Sequence, residues 1–194
     1  MNKNPTESCN SKTLTERLRE PLTIDQIDFR IQSINKGGYA TILAYKDARV
    51  DMHRLNDVFG VGCWQKKYEL INGNLFCSVG VLVPYTNEQQ WAWVQDVGTE
   101  SKTEKEKGQA SDAFKRACFN LGIGIELYNF PEIKVKLNSD EFELKTYNNK
   151  QIGQATWKLK LKEWEWYMER DDEKMTFLAA RDQDKNTRFQ WGER

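Results

Sequence analysis

The sequence contains a single histidine, His53, and this scarcity excludes most catalytic arrangements that depend on imidazole. A Ser-His-Asp or Cys-His arrangement would have to use that one residue, which lies inside a predicted helix and reads more simply as a surface or core histidine. No GxxxxGK[ST] segment occurs, so ATP binding by a phosphate-binding loop is not indicated. The sequence therefore predicts no catalytic residue, no cofactor and no enzyme.

Cysteine is also scarce, and the four present (Cys9, Cys63, Cys77 and Cys118) form no CxxC pair. Structural zinc sites need closely spaced thiolates, so no bound metal is expected, and unpaired cysteines are typical of a reduced, intracellular protein. The polar N-terminus lacks the pattern of a signal peptide, and no apolar run reaches transmembrane length. These absences predict a cytoplasmic protein that has no membrane partner.

A net charge is lacking too, because 29 lysines and arginines balance 29 aspartates and glutamates. Bulk electrostatics thus gives no argument for a nucleic-acid partner, and any basic site has to be local. Hydrophobic residues make up 39% of the 194 residues, which suffices to bury a real core. The length predicts one domain, or one domain with an appendage.

The order of elements predicts an α+β fold: a β-hairpin, a helix, a three-stranded antiparallel meander and a central helix packed on a curved sheet, followed by a β-rich C-terminal extension. Helices are expected at 14–19 and, with Asp47 as N-cap, at about 48–59. The predicted strands begin at Phe29 and then span Tyr39–Tyr45, Trp64–Ile71, Leu75–Val83 and Trp91–Val97.

After Pro131 the pattern of the sequence changes to one that favours strands. Trp157, Leu159 and Leu161 alternate with lysines and predict a strand, the alternation continues over 163–167, and two more strands are expected at 176–180 and 187–191. The sequence thus divides into three predicted segments, which are an N-terminal arm that is partly disordered (1–20), a core (21–131) and the β-rich extension (132–194).

The clearest amphipathic helix lies between Gly98 and Gly124. Its apolar side carries Ala110, Ala113, Phe114, Ala117, Cys118 and Leu121. Its other side carries Lys105, Gln109, Asp112, Lys115, Arg116 and Phe119. Gly122 provides a plausible stop. From physics alone, Lys115 and Arg116 belong either to a solvated helix face or to a face that contacts phosphates.

Three blocks of the sequence are distinctive when taken together. They are LAYKDARVDMHRLNDVFGVGCW (Leu43–Trp64), WVQDVGTES (Trp93–Ser101) and SDAFKRACFNLGIGIELYNFP (Ser111–Pro131). Together they resemble the Rad52 family of single-strand DNA annealing proteins, in particular its bacteriophage branch. The blocks occur in the family's order and cover roughly Phe29–Pro131, which the resemblance marks as the annealing core.

The resemblance implies a set of site residues. Lys115 and Arg116 match a basic pair that lines the groove holding the DNA backbone, Lys107 matches a lysine near the helix start, and Tyr45 matches an aromatic residue that ends the hairpin. Further candidates are Lys102, Lys105, Arg30, Lys36 and Arg49. Some relatives have a third basic residue at the position of Phe119. Phenylalanine there replaces a phosphate contact by packing or stacking.

The implied function is ATP-independent binding of single-stranded DNA and annealing of complementary strands in recombination and repair, by a ring or helical oligomer. The implied partners are single-stranded DNA, further copies of the chain and, from family habit, a host single-strand binding protein or a phage exonuclease. Three alternatives stay open, which are a passive single-strand coating protein, a metal-dependent nuclease using Asp96, Glu100 and Glu104, and a structural β-rich assembly protein. A phage-encoded member would act in the bacterial host cytoplasm.

Overall fold

The computed structural model describes residues 12–83, 90–99, 105–147, 150–172 and 174–193, with the backbone alone at 105–107 and 147. These residues form three α-helices, α1 (Leu14–Arg19), α2 (Ala48–Phe59) and α3 (Lys105–Asn120). They also form eleven strands, β1 (Asp28–Ile34), β2 (Tyr39–Tyr45), β3 (Trp64–Ile71), β4 (Asn74–Val83), β5 (Gln90–Val97), β6 (Ile133–Lys136), β7 (Phe142–Tyr147), β8 (Lys150–Ala155), β9 (Glu165–Asp171), β10 (Lys174–Arg181) and β11 (Thr187–Gly192). The predicted α+β class, with its meander and β-rich C-terminal part, is confirmed.

The chain divides into two compact units. The first comprises Met1–Glu20, as far as it is described, and Asp51–Ile123; the second comprises Pro21–Val50 and Gly124–Arg194. The predicted functional division at residues 20 and 131 stays a prediction. None of the described helices is both long enough and apolar enough to cross a membrane.

The first unit is organised by α3, which packs on β4 and β5 of the antiparallel sheet β3-β4-β5. Small and apolar residues at helical spacing give α3 a buried stripe, as predicted, and its fully buried members are Ala113, Phe114, Ala117 and Cys118. Alternate residues of β4 form the matching surface, namely Cys77, Val79 and Val81. The helix ends at Asn120, and Gly122 takes the left-handed φ of +98° that favours glycine there.

In the second unit the hairpin does not join the meander. Its strands lie inside a five-stranded sheet of order β6-β2-β1-β8-β7, and a second sheet has the order β11-β10-β9. Residues from both sheets share one core, in which Phe29 stacks on Trp166 with ring centroids 3.5 Å apart. Beside it, Arg188 binds the buried carboxylates of Glu141 (Nη2–Oε2, 2.7 Å) and Asp182 (Nη1–Oδ2, 3.3 Å).

The predicted strand at Trp157–Leu161 is wrong. The backbone turns there, because the N–H of Leu159 donates to the Thr156 carbonyl, and a short 3₁₀ helix follows at Leu161–Glu163. Trp157 is 78% exposed, so the alternation does not mark a buried face. The next strand begins only at Glu165, and β6, β7 and β8 were not predicted. Of the N-terminal arm (1–20), which is predicted to be partly disordered, residues 1–11 lie outside the described residues.

Gly98, which follows β5, sets how closely this strand approaches α3. A β-carbon built on Gly98 would lie 2.1 Å from the Gln109 carbonyl oxygen and 2.9 Å from the Ala113 nitrogen. Both atoms belong to the helix backbone, so a side-chain rotation cannot relieve the contact. Glycine is therefore the residue that this junction requires.

We expect Gly98→Ala to lower the free energy of unfolding by about 1–3 kcal/mol, because the extra methyl group pushes β5 away from α3. Urea unfolding followed by tryptophan fluorescence measures the change. Gly37→Ala is the control, since its added carbon would come no closer than 3.3 Å, to the Asn35 side chain. A Gly98→Ala protein as stable as the wild type would contradict the close approach.

Candidate nucleic-acid interface

A row of polar side chains on α3 attaches the helix to the end of the sheet. Gln109 Nε2 donates to the Gly98 carbonyl at 3.2 Å, and Asp112 Oδ2 accepts from both the N–H and the hydroxyl of Thr99 at 2.9 Å. One turn beyond Arg116, Asn120 donates to a backbone carbonyl of β5 at 3.2 Å. These bonds satisfy backbone groups next to an edge strand and fix the rotation of the helix.

Arg116 belongs to the same row. Its Nε donates to Asp96 Oδ1 at 3.2 Å, and the same oxygen accepts the N–H of Val97 at 2.7 Å. The two side chains are 38% and 22% exposed, so the pair lies at the rim of the helix–sheet contact. Among the described residues Asp96 is the single ion-pair partner of Arg116, and a phosphate that binds this guanidinium has to compete with it.

The structure describes the other candidates on or near α3 to different extents. Lys115 and Phe119 are half-buried side chains of α3, so the basic pair is less exposed than the helical wheel predicts. Lys105 begins the helix and Lys107 lies in its first turn, where the structure describes the backbone alone. Lys102 lies outside the described residues.

The hairpin candidates lie in the second unit. The guanidinium carbon of Arg30 lies 5.5 Å from the centroid of the half-buried Tyr45 ring. Burial, aided by Asp28 and Asp47, raises the pKa of the Tyr45 hydroxyl although Arg30 opposes the shift. The phenol is therefore neutral at physiological pH and can act as a hydrogen-bond donor.

Arg49 and Lys36 are both exposed. Arg49 lies in the first turn of α2, where its Nε binds Asp47 Oδ1 at 2.7 Å. That carboxylate also accepts the Arg49 N–H, as an N-cap does. The hydrogen bond that Arg49 donates to the Asp47 carboxylate raises the pKa of Arg49. Lys36 lies in the turn between β1 and β2.

Three exposed residues beside these candidates were not predicted. Tyr39 begins β2, and its register partner Lys136 lies on β6 with Nζ 4.8 Å from the tyrosine ring centroid. Lys134 occupies the same face of β6 opposite Thr41. The alternation Ile133-Lys134-Val135-Lys136 is a strand signal that could have located both lysines, but at four residues it is short.

The candidate residues thus fall into two groups. Lys105, Lys107, Lys115 and Arg116 share α3 in the first unit, and Tyr45, Arg30, Lys36 and Arg49 belong to the second. Within the residues that the structure describes, no group of three histidine, cysteine, aspartate or glutamate side chains is arranged to hold a metal ion. Of the proposed nuclease carboxylates, Asp96 pairs with Arg116, whereas Glu100 and Glu104 lie outside the described residues.

Comparison with known protein families gives a match over most of the chain. The model of a family described as Rad52/22 family double-strand break repair protein matches residues 10–146, which is more than half of the chain. No curated protein matches the chain with significant similarity. The matched segment contains α3 and the whole hairpin with its partner strand β6, so both groups of candidate residues lie within it.

We expect Asp96→Asn to tighten the binding of a labelled oligodeoxythymidine, by up to about fivefold at low salt. The estimate takes roughly 0.2–1 kcal/mol for a partly exposed ion pair, which the substitution releases from Arg116. Fluorescence anisotropy over a salt series measures the affinity. Asp140→Asn, which breaks the exposed pair with Lys158 (3.1 Å), is the matched control. Weaker binding by Asp96→Asn would instead mean that Asp96 holds Arg116 in its working position.

Proposed function

Because the chain belongs to the Rad52/22 family of double-strand break repair proteins, we propose that it binds single-stranded DNA and anneals complementary strands during recombination and repair. The observation that carries the proposal is the match of residues 10–146 to the family, with the adjacent Lys115 and Arg116 on the helix that organises the first unit. The family is one of annealing proteins in DNA repair.

The proposed contacts are made to the DNA backbone. Lysine and arginine bind phosphates without reading the bases, which suits a protein that has to accept any sequence. The attachment of α3 to β5 supports this role, because a fixed helix presents its cations at fixed positions and loses little side-chain entropy on binding. Lys107, Lys105 and Lys102 would extend the phosphate contacts toward the start of the helix.

Annealing follows from how the strand is held. A strand gripped by its phosphates leaves its bases open to a complement, and a strand already extended has less conformational freedom to lose on pairing. The free energy of base pairing then drives the reaction, so no nucleotide hydrolysis is needed. The sequence agrees, since it has no phosphate-binding loop of the GxxxxGK[ST] type.

We propose that the protein acts as a ring or helical oligomer of identical subunits. Among the described strands, β3 pairs only with β4 and forms one edge of the meander. Leu70 and Ile71 on this strand are 75% and 38% exposed. An edge strand with exposed apolar residues is a surface on which a second chain can pair. A neighbouring copy at this edge would continue the sheet and the DNA path.

Two other functions predict different results. A passive coating protein would use the same phosphate contacts but would not speed duplex formation. A metal-dependent nuclease would need the Asp96 carboxylate as a ligand, yet this group is engaged with Arg116 and with the Val97 N–H. The ion pair therefore favours DNA binding over metal binding at this position.

The remaining assignments rest on the resemblance of the sequence blocks. We propose a phage origin, action in the bacterial host cytoplasm, and a host single-strand binding protein or a phage exonuclease as further partners. We also propose that residues 21–131 carry the annealing activity and that 132–194 act as an extension, although the strands of the second unit come from both segments.

We expect the protein to accelerate the annealing of two complementary oligonucleotides in EDTA and without ATP. Quenching between dyes on the two strands reports the rate, and the protein-free reaction is the reference. Tight binding of single strands with an unchanged annealing rate would favour the coating protein. Loss of full-length DNA that depends on added Mg²⁺ would favour the nuclease.

We expect Lys115→Ala combined with Arg116→Ala to weaken single-strand binding and to slow annealing. Loss of two phosphate contacts should reduce the slope of log K against log salt by about 1.4, at roughly 0.7 per contact on single strands. The double variant Lys162→Ala, Lys174→Ala removes the same charge from exposed positions of the second unit and is the control. An unchanged affinity and slope in a folded Lys115/Arg116 variant would exclude this pair as the DNA contact.

A further inference from the structure

The outer face of β1, β2 and β6 combines cations with aromatic rings. The inner residues of these strands, such as Ala40, Ile42 and Val135, are buried in the core of the second unit. Side chains alternate along a strand, so the intervening residues point outward. The outward cations and rings of the face, with the turn residue, are Arg30, Lys36, Tyr39, Tyr45, Lys134 and Lys136, and we refer to them as the hairpin track.

The register of the strands orders the hairpin track. Lys136 lies opposite Tyr39, and Lys134 lies opposite Thr41. Arg30 lies opposite Leu43, two residues along the strands from the register pair Asp28–Tyr45. The two tyrosines are six positions apart on β2, which corresponds to roughly 20 Å at about 3.3 Å per residue. Each tyrosine has a cation near its ring, Lys136 at 4.8 Å and Arg30 at 5.5 Å.

The charge of this face differs from that of the chain. The chain is neutral overall, whereas four cations lie on the track and three carboxylates border it. Glu132 binds Lys134 at 2.8 Å, Asp28 lies opposite Tyr45 at the far end, and Asp47, which also acts on Tyr45, binds Arg49 at 2.7 Å. Lys136 donates to the backbone carbonyl of Gly37, which places its ammonium beside Tyr39. The local excess of positive charge complements a polyanion.

We propose that the hairpin track binds single-stranded DNA, with Lys136 contacting a phosphate and Tyr39 stacking on a base. The inference rests on the proposed function and adds residues and a path to it. Alternating cations and outward rings suit a single strand, because each unpaired base offers a ring face and each phosphate a charge. A duplex hides its base faces, so the track selects single strands. Tyr39, 49% exposed, has the area that stacking needs.

The test uses the full chain and a fluorescently labelled oligodeoxythymidine. Tyr39→Leu should weaken binding by roughly fivefold or more, the lower end of what one lost base stack gives, and Tyr39→Phe should restore it. Lys136→Gln removes the charge, leaves a polar side chain and should reduce the salt slope by about 0.7, as one lost phosphate contact does. Both positions are exposed, and thermal unfolding of each variant establishes that it is folded.

Lys145→Gln is the matched control, because this exposed lysine lies on β7 at the opposite edge of the same sheet and pairs with Glu143. Ultraviolet crosslinking of the wild type to bromodeoxyuridine DNA should label Tyr39. If the Lys115/Arg116 variant binds more weakly than the wild type but Tyr39→Leu and Lys136→Gln do not, the hairpin track is not the DNA contact. The proposed function would stand in that case. An absence of single-strand binding by the wild type would overturn the proposed function as well. Equal losses on duplex DNA would also contradict the track, since stacking requires unpaired bases.

Discussion

The close approach of β5 to α3 is the constraint on which the first unit depends. At Gly98 the strand end nearly touches the backbone of the helix, and only a residue without a side chain fits there. The polar row of α3 then holds the helix by hydrogen bonds to this strand and the residues that follow it. The position of Arg116, the last charged residue of that row, is a direct result. Packing and the proposed DNA contact therefore have the same cause.

Local charge matters here because the chain as a whole has no net charge. With equal numbers of acidic and basic residues, long-range attraction cannot collect DNA, and binding has to come from short-range contacts at particular cations. The ion pair between Arg116 and Asp96 reduces the free charge further. On the proposed function, such a surface would hold a strand weakly at each point, which suits an annealing protein, because a strand that is gripped too tightly could not leave in a new duplex.

The sequence predicted the elements best where the pattern is long. The bounds of α2, β2 and β3 agree with the structure because each has a clear period and a strong flanking signal, such as Asp47 or the Asn72-Gly73 turn. It failed at Trp157–Leu161, where alternation was read as burial although the chain turns. The partners of the hairpin strands could not be predicted, because register between distant strands depends on side chains that meet only in the folded chain.

The candidate site was predicted unevenly for a similar reason. The adjacency of Lys115 and Arg116 on one helix is visible in the sequence. The pairing of Arg116 with Asp96 depends on the crossing of α3 over β5, and Lys136 comes beside Tyr39 only through the pairing of β6 with β2. Resemblance to a family marks single positions, but it does not show which neighbours each one acquires.

The pairing of β2 with β6 also has a consequence for synthesis of the chain. About ninety residues separate these strands, and at roughly 5–20 residues per second the ribosome needs about 5–18 s to make them. Throughout that interval β2 has an open edge, and Ala40 and Ile42 lack the partners that later bury them. Neighbouring nascent chains on one messenger carry the same open edge at the same time. The second unit is therefore most exposed to misassembly before it leaves the ribosome.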